Sequence, residues 1–323
     1  MELADVAGKA PENRPQRVRC RRIKPGVIHQ LPHPRHAIAK GGSRLQALLE
    51  NVLDASHVPF THHATVGRRE NAAPVNLALT AFDREGFSGL WDEGPRRGKL
   101  GSQHTRFLAP GLMWHDLTAK GFARILTVVY AVPTRPGECR LIARFPFQFR
   151  SPWPGRLLRL RPQWLQHIGN HTVLEDDQLF LHWQERVIEQ RGGRHDALRQ
   201  YHLPTQADLY VRALHDWVNR YGGEPFPGQR LPARQNRQDL MERFEAHTRH
   251  CRSCSGADQR LKRLQPICWI LVAVAGLTSA WSGPGISGAL ALTAGVALAL
   301  AAWRIRRWRQ LLRAGSGLPP RNR

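Results

Sequence analysis

Two stretches near the C-terminus, residues 267–281 (ICWILVAVAGLTSAW) and 286–303 (ISGALALTAGVALALAAW), contain no charged residue. A helix needs about 20 apolar residues to cross a bilayer, so each run is short on its own. The tight turn Ser282-Gly283-Pro284-Gly285 joins them, and Trp269, Trp281 and Trp303 lie near their ends. Arg260, Lys262 and Arg263 precede the first run, and Arg304, Arg306, Arg307 and Arg309 follow the second, while the turn carries no charge. This pattern predicts a transmembrane helical hairpin over residues 264–309, followed by a basic tail over 310–323. By the positive-inside rule both open ends, and the rest of the chain, belong on the cytoplasmic side. A buried soluble hairpin of Ala and Leu would have no reason to stop its charges so sharply at both edges.

The remaining chain is large enough for a folded domain: 323 residues in all, 41% apolar and 23% charged. Residues 1–44 hold ten basic and three acidic residues and prolines at 11, 15, 25, 32 and 34, with no sustained period. They read as a flexible basic arm. Residues 123–132 and 139–149 read as strands separated by a turn at Pro136-Gly137. Helical signals are clearest at 45–56, 173–190 and 207–221. Strands flanked by helices, without repeated βαβ units, predict an α+β domain over 45–235 with an antiparallel sheet. Residues 236–263 read as a linker containing Cys251-x-x-Cys254.

Chemistry concentrates in residues 50–63 (ENVLDASHVPFTHH). On a helix, Glu50, Asp54 and His57 lie within about 60° of one another and share a face. Pro59 disfavours helical geometry at Val58, so a break there could return His62 to the side of His57. Two neutral imidazoles and one carboxylate, with coordination positions left open, suit a mononuclear Fe(II). A ligating His also needs its second nitrogen held, and Asp54 stands one turn before His57.

The order acidic residue, Asp, His, His, filled here by Glu50, Asp54, His57 and His62, resembles the mononuclear-iron signature of Rieske-type non-haem oxygenases. The spacing selects His62 over His63. In that family the third ligand is a carboxylate at a helix start, followed by a Gln, as in LEDDQLFLHWQE at 174–185. Counting back from Gln184 favours Asp177, with Asp176 the alternative. Further pieces run in order: Gly86-Phe87, Pro133-x-x-Pro136-Gly137 leading into CRLIARFPFQF, YHLPTQADLYVRALHDW at 201–217 and HTRHCRSCSGA at 247–257. Over residues 45–309 the chain is similar to the pheophorbide a oxygenase group, which includes chlorophyllide a oxygenase-like and translocon-associated members.

The resemblance implies a helix-grip catalytic domain before a membrane hairpin, with Fe(II) held by His57, His62 and Asp177. It implies O2-dependent oxidation of an apolar small molecule, a chlorophyll-related tetrapyrrole. Asp54 would bridge the iron-ligating His to a Rieske His, commonly from a neighbouring subunit of a homotrimer, and Glu50 and Asn51 would support the site. Such oxygenases carry a [2Fe–2S] domain with Cys-x-His and Cys-x-x-His ligands, and neither pattern occurs in this sequence. No cluster is therefore expected in this chain. Three readings follow: a truncated gene product, a separate Rieske protein or reductase as electron donor, or a non-catalytic binder of a tetrapyrrole or other apolar ligand.

In the plant relatives the Cys-x-x-Cys pair is linked to redox control, the role expected for Cys251 and Cys254. A Cys2His2 metal site with His247 and His250 is the lesser alternative, because adjacent positions would strain one tetrahedral ion. A net charge of +23 favours acidic partners in general. Basic residues scattered from end to end, without a compact recognition motif, argue against nucleic acid and leave anionic lipid headgroups as their counterpart.

Overall fold

The structure, a computed structural model, describes residues 36–41, 45–119, 122–191, 201–222, 225–226 and 228–314. Residues 1–35, 42–44 and 315–323, which hold most of the expected arm and tail, lie outside them. Alternating apolar residues build an eight-stranded sheet, antiparallel throughout. Its strands are β1 (His36–Gly41), β2 (Leu77–Asp83), β3 (Gly86–Trp91), β4 (Gln103–Leu108), β5 (Leu112–Leu117), β6 (Phe122–Arg135), β7 (Glu138–Arg144) and β8 (Phe147–Phe149). The order is β1-β7-β6-β5-β4-β3-β2, with β8 pairing separately with β6.

Register places Phe87, Phe107, Met113, Val129 and Ala143 in one row across five strands, all buried. Helices α1 (Leu45–Leu53), α4 (Gln163–Gln190) and α5 (Leu209–Tyr221) supply Leu49, Leu53, Leu181, Leu214 and Trp217 to the same core. Each fully buried Leu or Phe contributes about 1.5–3 kcal/mol. Tyr210 on α5 enters at Gly89, where a Cβ would lie 2.2 Å from the tyrosine ring. Glycine is needed there because the helix approaches the sheet so closely.

Several boundaries depart from the sequence reading. Inside the expected arm, His36–Gly41 carries no proline and pairs its backbone with β7 as an added strand. The expected strand 139–149 divides at Pro146, which carries no amide hydrogen for the β6–β7 ladder; its carbonyl accepts the Leu126 amide at 3.0 Å. The helix expected from 173 begins at Gln163. Its first turns were hidden because they bury His167, Ile168 and His171, a face only partly apolar. Before it runs α3 (Pro152–Leu160).

The segment expected as a linker holds the short α6 (Arg237–Leu240) and the first turns of α7 (Arg252–Ser282), which antiparallels α8 (Ile286–Arg313). Gly283, at φ +66°, makes the turn between them in a region closed to most side chains. The open ends of this pair are anchored: Cys254, Ala257, Leu261, Ile305 and Leu312 form a cluster with Ile168 of α4. Asp258 receives Arg313 at 2.8 Å and Arg309 at 3.4 Å. Beyond that collar the helices are long and apolar enough to cross a membrane. They expose Leu277, Trp281 and Ile286, side chains that a bilayer would cover.

Candidate metal centre

The break in the motif helix comes earlier than Pro59. α1 stops at Leu53, because the Asp54 carboxylate turns back to accept the Ser56 amide at 2.7 Å and the Ser56 hydroxyl at 2.6 Å. Such an Asx turn offers the backbone an alternative to the helix. Pro59 instead opens the single-turn α2 (Val58–Thr61), where a missing amide hydrogen does no harm. His57 stands just before α2 and His62 just after it, so one helical turn sets the two imidazoles on a common side with ring centroids 5.2 Å apart. Gly67 closes the loop, its amide donating to the His62 carbonyl at 2.9 Å.

Asp177 meets them from the middle of α4. Its Oδ2 lies 3.2 Å from His62 Nε2 and its Oδ1 3.8 Å from His57 Nε2. One ligand atom from each of the three lies within 4.8 Å of the others. Asp177 sits fourteen positions into α4, so the acidic run does not complement a helix N-terminus. Its Oδ1 is buried with no hydrogen-bond partner. A cation bound between two imidazoles and this carboxylate would satisfy that orphaned oxygen, so the donor set fits a mononuclear Fe(II).

Each outer ring nitrogen also faces an oxygen. His57 Nδ1–H donates to the Asp54 carbonyl at 2.7 Å, leaving Nε2 free to ligate. His62 Nδ1 faces Asp176 Oδ2 at 3.5 Å, and Thr65 donates to the same oxygen at 3.3 Å. The two neighbouring aspartates thus divide the work: Asp177 faces the metal position and Asp176 orients His62. Burial alone would lower the His62 pKa, but the hydrogen bonds and charges of Asp176 and Asp177 outweigh it and raise it to about 9. The pocket attracts positive charge.

Asp54, 31% exposed, keeps its second carboxylate oxygen 3.7 Å from His57 Nδ1. The Glu50 carboxylate is taken up elsewhere: it accepts from Gln184 at 2.8 Å and Tyr201 at 2.9 Å and lies 3.2 Å from His215. That network joins α1, α4 and α5. Asn51 is half-buried, and its carbonyl accepts the Asp54 amide at 3.2 Å.

Sequence reasoning missed His115, on β5. Its Nε2–H donates to the Val52 carbonyl at 3.1 Å, and its Nδ1 accepts from Thr105 at 2.9 Å, with Gln103 Nε2 3.1 Å away. It therefore braces the end of α1 just before the Asp54 turn, and its bonds require the neutral ring. Burial lowers its pKa to about 4, although the Val52 bond opposes this. Only its place on an alternating strand hinted at a buried position. A cavity of about 440 Å3 opens between α1, α5 and the sheet, but no triad residue lines it.

Cys251 and Cys254, both free thiols, lie at the start of α7. His247 joins them, whereas His250 is exposed and stands apart. The fourth member is His167 of α4, which no motif pointed to.

The family model for pheophorbide a oxygenase matches residues 107–195, a stretch that includes Asp177. Pheophorbide a oxygenase, chloroplastic, of Arabidopsis thaliana is 32% identical over 240 residues, covering 65% of this chain and 43% of that protein. Flavonoid 8-hydroxylase 2, chloroplastic, of Ocimum basilicum is 27% identical over 268 residues, with coverages of 73% and 48%. Protein TIC 55, chloroplastic, of Arabidopsis thaliana is 28% identical over 267 residues, with coverages of 71% and 46%. The chain spans less than half the length of each of these three relatives.

Proposed function

We propose that the chain is a Rieske-type non-haem iron oxygenase catalytic domain related to the pheophorbide a oxygenase family, and that it oxidises a large apolar substrate of the chlorophyll-derived tetrapyrrole class with O2. The observation that carries this reading is the convergence of His57, His62 and Asp177, with a separate oxygen facing the outer nitrogen of each imidazole. Bound by these three, Fe(II) would supply the activation of O2.

The residues around it have their own tasks. The Asp54 carbonyl fixes the His57 tautomer, and Asp176 does the same for His62. The Asp54 carboxylate lies close to His57 yet is partly exposed, and would be where a [2Fe–2S] Rieske protein that supplies electrons docks. A homotrimer would bring such a donor from a neighbouring subunit. The hairpin holds the domain at a membrane, where an apolar substrate would be concentrated, and the basic residues at its open ends favour the cytoplasmic face.

The test uses the full chain in lipid nanodiscs, loaded with Fe(II) and supplied with O2, a reductase and a soluble Rieske protein. Pheophorbide a should be consumed with matching O2 uptake. Asp54→Asn should retain iron but lose at least ten-fold in turnover, and His57→Ala should lose both. Pheophorbide a that neither binds nor reacts, while iron is present, would refute the substrate class. Turnover unaffected by Asp54→Asn would refute the electron route.

A further inference from the structure

Outside the catalytic centre, four metal-ligating side chains meet at one point. His167 Nδ1 lies 3.2 Å from His247 Nε2, 3.5 Å from Cys251 Sγ and 3.3 Å from Cys254 Sγ, and Cys254 Sγ lies 3.4 Å from His247 Nε2. A tetrahedron with metal–nitrogen bonds of about 2.0 Å and metal–sulfur bonds of about 2.3 Å has edges of roughly 3.3–3.8 Å. The observed separations match those edges. His167, His247 and Cys254 are buried, and Cys251 is half-buried.

Hydrogen bonding alone accounts poorly for this cluster. A ring nitrogen has either one lone pair or one N–H, so His167 Nδ1 cannot serve three partners at once. One cation among the four atoms serves all of them. The local backbone supports the arrangement. The Cys251 amide donates to the His247 carbonyl at 3.0 Å, setting these two ligands one turn apart, and Cys254 follows in the first turn of α7. The positive end of that helix favours thiolates. His171, on the α4 face that carries His167, packs its ring 4.1 Å from that of His247 and covers the site.

We propose that His167, His247, Cys251 and Cys254 bind a structural Zn2+. Two thiolates and two imidazoles are a donor set suited to zinc, and four protein ligands leave no position for substrate. The ion would pin the catalytic helix α4, ten residues before Asp177, to the first turn of the membrane hairpin. Binding releases the two thiol protons to solvent. The site is separate from the Fe(II) triad, so it stands or falls independently of the proposed activity.

Zinc per chain, measured on the detergent-solubilised full chain loaded with Zn2+ and dialysed, tests this. In a His57→Ala background, where the triad cannot compete for the ion, the chain should retain one zinc, whereas His167→Ala or Cys254→Ser added to that background should lose it. His250→Ala should behave as wild type. In the unmodified chain, which avoids any folding failure of the variants, Co2+ should give intense tetrahedral d–d bands and thiolate charge-transfer absorption. Zn2+ should also protect Cys251 and Cys254 from alkylation until a chelator is added. No retained zinc in the His57→Ala background, retention after Cys254→Ser is added to it, a Co2+ spectrum without thiolate bands, or a Cys251–Cys254 disulfide that persists with Zn2+ present would each overturn the proposal.

Discussion

Asp176 and Asp177 are chemically identical neighbours with different surroundings, and the surroundings assign their roles. Asp177 faces both imidazoles, while Asp176 faces only the far nitrogen of His62. Asp176→Asn should therefore keep the site but weaken Fe(II) binding by about 10–100-fold, as loss of an orienting carboxylate does. A binding isotherm under anaerobic conditions checks this. The spacing of His57, His62 and Asp177 was legible in the sequence because it follows a short linear motif and one helix. Asp54 was legible as the partner of His57, one turn before it, although its carbonyl rather than its carboxylate makes the bond; the orienting places of Asp176 and His115 were not, because these two reach the motif segment only through tertiary packing.

His115 offers a test by pH. Its folded pKa of about 4 lies below the ordinary value of 6.5, so it stays neutral while an unfolded chain takes up a proton. Its contribution to stability is complete above about pH 6.5 and is lost as pH falls towards 4, to the extent of about 1–3 kcal/mol. Denaturant midpoints at pH 7 and 4.5 should show this loss, and His115→Gln should reduce the difference. An equal difference in the variant would contradict the assignment.

Among the elements, the loop between α1 and α2 and the long α4 decide the geometry. A helix through residue 56 was a fair expectation from composition, but it ignored how strongly an Asp two residues before a Ser competes for the backbone. The start of α4 was illegible for a related reason: its buried face is built from histidines rather than aliphatics. Gly67→Ala tests the loop. A Cβ there would lie 2.1 Å from the Val58 carbonyl oxygen, so the segment carrying both histidines must shift. Iron affinity should fall at least ten-fold with the fold retained by circular dichroism.

Glu50 tests the junction of α1, α4 and α5. It is 4% exposed, accepts from Gln184 and Tyr201 and lies 3.2 Å from His215. Glu50→Ala removes the acceptor that Gln184 and Tyr201 share and should destabilise by about 2–4 kcal/mol. The folded fraction should still bind one iron, because the network lies apart from the triad. Iron loss at full stability would instead make Glu50 part of the site.

For the whole molecule, the hairpin was the most readable feature, since two charge-free runs bounded by arginines need no tertiary information to recognise. What the sequence hid is how firmly it joins the domain. Arg243 bridges Glu175 of α4 at 2.7 Å and the Leu311 carbonyl of α8, and Thr248 donates to the Leu312 carbonyl at 2.5 Å. The chain should stay with membranes through high-salt and alkaline washes and leave only with detergent.

His57, His62 and Asp177 are placed to hold one iron. Anaerobic Fe(II) titration of the detergent-solubilised full chain, with metal quantified after gel filtration, tests it most directly. His57→Ala and Asp177→Ala, both remaining folded, should each bind one fewer Fe(II) per chain than the wild type. A wild type that binds no iron, or an Asp177→Ala variant that binds as well as wild type, would contradict it.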